Sequence, residues 1–364
     1  MAASSFDGTI IIGAGQSGLA VARQLREHGA GCQVLEAAGR PGDAWRHRWD
    51  SLRLFTPAQY CALPGLPFPA PRGSFPARDE VAAYLAQYAE ELPVEYGVEV
   101  TAVRAADGGF DVETTQGTRT ARSVVVATGA NAVPHVPELA GRLSPRILQL
   151  HSSTYRNPGS VPDGGVLVVG AGTSGVEIAV ELAATHAVWL SGRAPVHIPA
   201  PLLKYAGGLY WQFIHRVLTL RTPIGRKVAP KVTAHGAPLI SVSIQDAQRA
   251  GATILPRLLD VADDGEPAFP EIPAPGVRTV IWATGYRPYF SWIEGLPVDG
   301  RGWPVSLRGA VAALPGLYFV GMPFQYGLTS ALLGGVGRDA DHVARSIVGA
   351  AMETPASPLP AADG

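Results

Sequence analysis

One supersecondary unit occurs twice in this chain, and the repeat limits what it can fold into. Thr9–Ile12 is a β-branched run, followed by Gly13-Ala14-Gly15-Gln16-Ser17-Gly18. Leu19–His28 then has helical patterning stopped by Gly29, and Cys32–Leu35 is a second apolar run ending in Glu36. The same order returns at Val166–Val169, Gly170-Ala171-Gly172-Thr173-Ser174-Gly175, Val176–Thr185 and Ala187–Leu190. The first glycines of the copies, Gly13 and Gly170, stand 157 residues apart. Each copy is followed by an Ala-Thr-Gly closing an apolar run: Ala127-Thr128-Gly129 after Val124–Val126, and Ala283-Thr284-Gly285 after Val280–Trp282. From first glycine to threonine the spacing is 115 residues in one half and 114 in the other. Strand, glycine turn, helix and strand make a βαβ unit, which requires a parallel sheet.

A strand–GxGxxG–helix unit is built to hold a dinucleotide. The first glycine makes the turn, the second lets the pyrophosphate approach the backbone, and the third lets helix pack on strand. The helix N-terminus then offers unpaired N–H groups to the phosphates. The predicted fold is therefore α/β, with two Rossmann-like, three-layer ββα dinucleotide-binding domains, the second inserted in the first. The expected boundaries are 1–161 and 278–350 for the first domain and 162–277 for the second, with a disordered Pro/Ala tail over 351–364.

The residue at the end of the second strand separates the two sites. Glu36 lies 23 residues past Gly13 and suits ribose hydroxyls. The residue at the same offset from Gly170 is Arg193, and no acid occurs between Glu181 and Asp246. A guanidinium there suits a ribose 2′-phosphate. A chain with two such sites holds one cofactor and exchanges the other. FAD in the first site and NADPH in the second is the natural pairing, with NADH use left open.

Composition removes several classes. Lys and Arg number 29 against 30 Asp and Glu, so the basic excess of a nucleic-acid binder is absent. The two cysteines, Cys32 and Cys61, form no CxxC pair, disulfide framework or thiolate metal site, and no metal-ligand spacing occurs. The N-terminus lacks a basic signal-peptide region, and a cytoplasmic protein is expected. Gly309–Gly337 carries no charge and is long enough to span a bilayer. Its Pro315, Pro323 and several glycines, with a strand at Leu317–Val320 and a helix beginning at Leu328–Ala331, read instead as buried core.

Taken together, Gly13–Gly18, Arg40-Pro41-Gly42 with Trp45-Arg46, His151 with Tyr155, Gly170–Gly175 and Ala283-Thr284-Gly285-Tyr286-Arg287-Pro288 resemble, in that order, the flavin-containing monooxygenases (class B flavoprotein monooxygenases), in their compact bacterial branch. The resemblance runs from about Gly8 to Val348. It departs from the family in two places. Pro145 and Ile147 stand where the family signature ahead of the histidine has Phe and Gly, and Phe55 stands where animal-type members carry an Asn beside the flavin. The resemblance implies that NADPH reduces FAD and that one oxygen atom of dioxygen passes to a sulfide, an amine or, in Baeyer–Villiger fashion, a ketone. It also implies a homodimer.

The candidate cofactor-binding residues are Gly13, Gly15, Gln16, Ser17, Gly18, Glu36, Trp45, Arg46, Val103, Thr128, Gly129 and Gly321 on the flavin side. On the nicotinamide side they are Gly170, Gly172, Thr173, Ser174, Gly175, Arg193, Thr284 and Gly285. Phe55, Phe324, Gln325 and Tyr326 are candidates for the substrate pocket, and no catalytic acid or base is singled out. His151 and Tyr155 are expected at the join between domains. Residues 201–240 form a basic excursion with helical apolar spacing over Leu202–Leu220, which suits a lid, an ordinary packed helix or a membrane-surface helix. Two rival functions remain: an NADPH:acceptor reductase serving a quinone or iron–sulfur protein, and a non-catalytic nucleotide-binding regulator.

Overall fold

Three consecutive isoleucines, Ile10, Ile11 and Ile12, are all buried, which requires a strand covered on both faces. They end β1 (Ser4–Ile12), the centre of the first sheet in a computed structural model that describes residues 4–193, 195–198, 200–235, 238–269 and 276–353. β1 pairs in parallel with β2 (Cys32–Glu36) and with β6 (Gly117–Val126). β3 (Val94–Tyr96) extends the β2 edge, while β4 (Val100–Ala106) and β5 (Gly109–Thr114) make an antiparallel meander with β6. The outer edge of β6 is shared: Gly117–Ala121 holds β5, and Val124–Val126 holds the late strand Leu317–Phe319.

The alternation of side chains sorts β1 into two cores. Ile11 packs with Leu19 and Leu25 of α1 (Gln16–Glu27), with Val81 and Leu85 further along the chain, and with Val336 and Ala340 of the C-terminal helix. Ile10 and Ile12 face the meander, with Val103, Val112 and Phe319. The short α2 (Asp43–Arg46) and α3 (Arg78–Ala89) follow β2.

The second sheet is wholly parallel, in the order β11-β10-β9-β14-β8. Its strands are β8 (Leu148–His151), β9 (Gly165–Val169), β10 (Val188–Ser191), β11 (Thr253–Leu255) and β14 (Val277–Trp282). α4 (Thr173–Leu182) covers one face through Val176, Ile178 and Leu182. The excursion is two helices, α5 (Ala200–Arg216), kinked at Ala206, and α6 (Pro223–His235); α7 (Ile244–Arg249) returns the chain to β11. A two-stranded ribbon pairs β7 (Val133–Pro134) with β15 (Tyr286–Arg287), and another pairs β12 (Asp260–Val261) with β13 (Pro267–Ala268). β16 (Leu317–Phe319) and α8 (Leu333–Glu353) close the first domain.

Two expectations need correcting. β8 and β14 pair within the second sheet, outside the boundaries 162–277, because each lies beside β9 or its neighbour. The last helix begins at Leu333, after turns over 328–332, and runs through Glu353, so 351–353 of the expected tail are helical, and the rest of that expectation, 354–364, lies outside the described residues. The charge-free run 309–337 supplies β16, turns and the start of α8, with Leu317, Phe319 and Val320 buried, and among the described residues no helix is long and apolar enough to cross a membrane.

Both glycine loops close by the same contact. A Cβ on Gly18 would overlap the carbonyl oxygen of Gly13, and a Cβ on Gly175 that of Gly170. Gly15 and Gly172 have no neighbour within 4 Å of a Cβ. Gly18→Ala is thus expected to destabilise the cofactor-free chain by about 1–3 kcal/mol. Gly15→Ala changes it by no more than about 0.5 kcal/mol. Chemical denaturation of both variants checks this, and equal effects would contradict the packing described.

Candidate functional site

The two loops leave their helix N-termini open in the same way. Gly15 and Gly172 occupy the N-cap positions of α1 and α4, with no side-chain cap and no acid in either first turn. A helix N-terminus without a capping side chain leaves N–H donors for an anion. Thr128 and Thr284 stand equivalently, beside Gly13 and Gly170. Gln16, Thr173 and Ser174 begin the helices; Ser17 is buried against Gly321, where a Cβ would overlap its hydroxyl. The Gln16 amide donates to the Ala331 carbonyl at 3.2 Å, so the first loop is tied to the segment leading into α8.

The strand-end residues are also brought to their loops. Glu36 accepts from the Ala14 N–H at 2.6 Å and from the Ala38 N–H at 2.8 Å. In the second domain a Cβ on Gly192 would lie 3.0 Å from the Ala171 nitrogen, and the next residue, Arg193, is exposed beside that loop. One loop therefore carries a carboxylate and its twin a guanidinium. These features fit a flavin dinucleotide and a phosphorylated nicotinamide dinucleotide respectively.

Trp45 packs against the cores of both domains, while Arg46 turns back onto Pro41 and Asp43 of its own loop. His151 and Tyr155 lie at the join. His151 Nε2 lies 3.0 Å from the Gly285 carbonyl, and Nδ1 accepts the Ser153 N–H at 3.1 Å. The neutral ring with its proton on Nε2 satisfies both, and burial holds its pKa below the usual histidine value. The Tyr155 hydroxyl donates to Glu181 of α4 at 2.9 Å, and Arg156 bonds the His47 and Arg48 carbonyls. Arg48 in turn donates to the Tyr286 hydroxyl at 2.7 Å. This set ties the loop after α2 to the second domain and engages both ring nitrogens of His151.

A cleft of about 1080 Å³ opens between the loop 49–75, α4, α5 and residues 240–242. Its walls include Trp49, Phe55, Tyr60, Phe75 and Trp211, with Arg53 and Arg72, and with Glu177 and Glu181 one helical turn apart on α4. A smaller cavity of about 190 Å³ shares Gln59, Tyr60 and Trp211 with it and reaches Thr329, Gly334 and Gly335 at the start of α8.

Of the four residues expected in the substrate pocket, Phe55 alone lines either cavity. Gln325 is buried, its amide donating to the Phe319 carbonyl at 2.8 Å. Tyr326 is clamped between the guanidiniums of Arg308 and Arg338, 4.3 and 4.2 Å from its ring centre. Phe324 packs with Trp211, Ile214 and Leu218. Val103 is buried; its N–H donates to the Trp292 carbonyl and its carbonyl accepts from the Glu294 N–H, so its backbone is already engaged within the protein. Sequence reasoning passed over Trp49, Tyr60, Glu177 and Glu181 as cleft residues. The i, i+4 spacing of the two glutamates was visible, but the wall facing them was not.

The family model for pyridine nucleotide-disulphide oxidoreductases matches residues 10–196. The uncharacterized oxidoreductase CzcO-like of Geobacillus kaustophilus is 37% identical over 93% of this chain and 97% of its own length. Indole-3-pyruvate monooxygenase YUCCA4 of Oryza sativa subsp. japonica is 31% identical over 94% of this chain and 87% of its own. A flavin-containing monooxygenase from Stenotrophomonas maltophilia superposes with a TM-score of 0.77 at 29% identity, covering 96% of this chain and 99% of that one. The chain belongs to the pyridine nucleotide-disulphide oxidoreductase family, among its flavin-containing monooxygenases. It is an oxidoreductase.

Glu177 gives the cleft a pH response. Ser241 donates to it at 3.1 Å, and burial pushes its carboxyl from 4.5 up to about 7. The folded chain then holds this proton where the unfolded chain has lost it, so Glu177 lowers stability as pH rises from about 4.5 to about 7. Glu177→Gln keeps an acceptor for Ser241 and is expected to become more stable relative to the parent as pH rises across that window. Denaturation midpoints measured across it check this; a constant difference would contradict a raised carboxyl.

Proposed function

We propose that this protein is an FAD-dependent, NADPH-consuming monooxygenase, acting in the cytoplasm. It places one oxygen atom from dioxygen into a small sulfide or amine, or into a ketone. The observation that carries this reading is the pair of twin uncapped glycine loops with opposite strand-end charges, in a chain that also carries an aromatic-walled cleft beside α4. Gly13, Gly15, Gln16, Ser17 and Gly18, with Glu36, Thr128, Gly129 and Gly321, would hold FAD. Gly170, Gly172, Thr173, Ser174 and Gly175, with Arg193, Thr284 and Gly285, would hold NADPH. FAD bound there supplies the hydride acceptor and the centre that reacts with dioxygen.

The protein's own part is to orient and to exclude water. Trp49, Phe55, Tyr60 and Trp211 give the cleft apolar walls, which favour an uncharged substrate and keep bulk water from the reacting centre. The monooxygenase names carried by relatives at 31% and 29% identity support oxygen transfer. Disulfide reduction, which the family name suggests, lacks its dithiol. Cys61 is buried with its thiol pushed up to about 12, and burial raises Cys32 to about 11.

Supplied with NADPH and heavy-isotope dioxygen, the purified holoenzyme is expected to give a sulfoxide from an aryl methyl thioether, or a lactone from a cyclic ketone, carrying one labelled oxygen. Mass spectrometry of the product checks it. NADPH oxidation yielding only hydrogen peroxide, with unlabelled substrate recovered from both classes, would contradict oxygen transfer and favour the acceptor reductase.

A further inference from the structure

The excursion has an outer face that neither the core nor the cleft uses. α5 buries Trp211 and Ile214, with Leu218 just beyond its end, around Phe324. On its outside Leu209 and Phe213, one turn apart, are 76% and 43% exposed, and the exposed Arg216 continues the stripe. The chain turns sharply into α6, where a Cβ on Gly225 would overlap the Thr219 carbonyl. Just beyond the turn Ile224 is 52% exposed, beside exposed Arg221, Arg226 and Lys227. No Asp or Glu occurs anywhere between Glu181 and Asp246 to neutralise this face.

We propose that this α5–α6 face docks on the surface of an anionic lipid bilayer. Large apolar side chains interleaved with cations, and free of acids, match an interface that offers both hydrocarbon and negative headgroups. The charge is one-signed here although the whole chain is near neutral, with a formal net charge of −1. Nucleic-acid backbone contact accounts for the cations but leaves exposed Leu209, Phe213 and Ile224 without a role. Attachment is peripheral, through helices lying in the surface. The inner side of α5 contributes Gly207, Gly208 and Trp211 to the cleft, so docking sets the cleft wall beside the lipid. Apolar substrates dissolved in the bilayer then reach the cleft without crossing water.

The test is cosedimentation of the full-length holoenzyme with vesicles of phosphatidylcholine alone and of phosphatidylcholine mixed with phosphatidylglycerol. Binding is expected to the anionic vesicles only and to weaken with salt. Arg226→Glu with Lys227→Glu is expected to lower partitioning about tenfold or more. Leu209→Ser with Phe213→Ser lowers it as well, with flavin content and melting temperature retained in both double variants. Equal binding to both vesicle types, or unchanged binding by the folded variants, would overturn the proposal. So would sedimentation velocity showing that the apolar variant splits an oligomer while the parent ignores vesicles, since the face would then belong to a second copy. Tighter binding to an oligonucleotide than to anionic vesicles would overturn it too.

Discussion

The contact on which the rest of the structure depends is that of a helix glycine against the carbonyl of the glycine five residues before it. Gly18 meets Gly13, and Gly175 meets Gly170, so closely that no side chain fits between. That approach seats each helix on its sheet and turns the loop between outward. The residue in the middle, Gly15 or Gly172, faces open space at the N-cap. Tight packing behind the loop and open backbone in front of it are thus one arrangement. The same geometry built twice yields two open helix N-termini, one flanked by Glu36 and the other by Arg193.

A second layer of contacts joins the two halves. Trp45 packs on both cores, the Tyr155 hydroxyl reaches Glu181, and Arg156 holds the backbone of the loop after α2. His151 has both ring nitrogens engaged in its neutral form. The cleft opens beside this joint, with the loop 49–75 on one side and α4 on the other. The loop 49–75 itself spans the joint, with Trp49 and Leu52 in the second domain's core and Leu54 and Ala58 in the first.

What was legible in the sequence was what is local. Both glycine loops, both threonine turns, and the Glu36 and Arg193 contrast need only a few neighbouring residues, and the structure places each beside its loop. The seam between domains was misplaced by one strand at each end, because sheet order is set by β8 and β14 pairing across the chain. The matched spacings of 115 and 114 residues already implied that β14 belongs to the second unit. Gln325 and Tyr326 were misread for a related reason. A loop residue points wherever its partners are, and those partners, the Phe319 carbonyl, Arg308 and Arg338, belong to other segments. Phe55 was legible only through the family resemblance; in the structure it lines the cleft on a segment held by the Leu54 N–H to the Pro76 carbonyl and the Ala58 N–H to the Ser74 carbonyl.

The claim at the centre of this account is that one charge difference, Glu36 against Arg193, assigns two otherwise equivalent loops to two cofactors. Steady-state rates with NADPH and NADH, measured with flavin content for the parent and for Arg193→Glu, test it most directly. The account predicts that the parent prefers NADPH, that the variant loses or reverses that preference, and that both retain FAD. An unchanged preference, or a variant that loses its flavin while remaining folded, would contradict it.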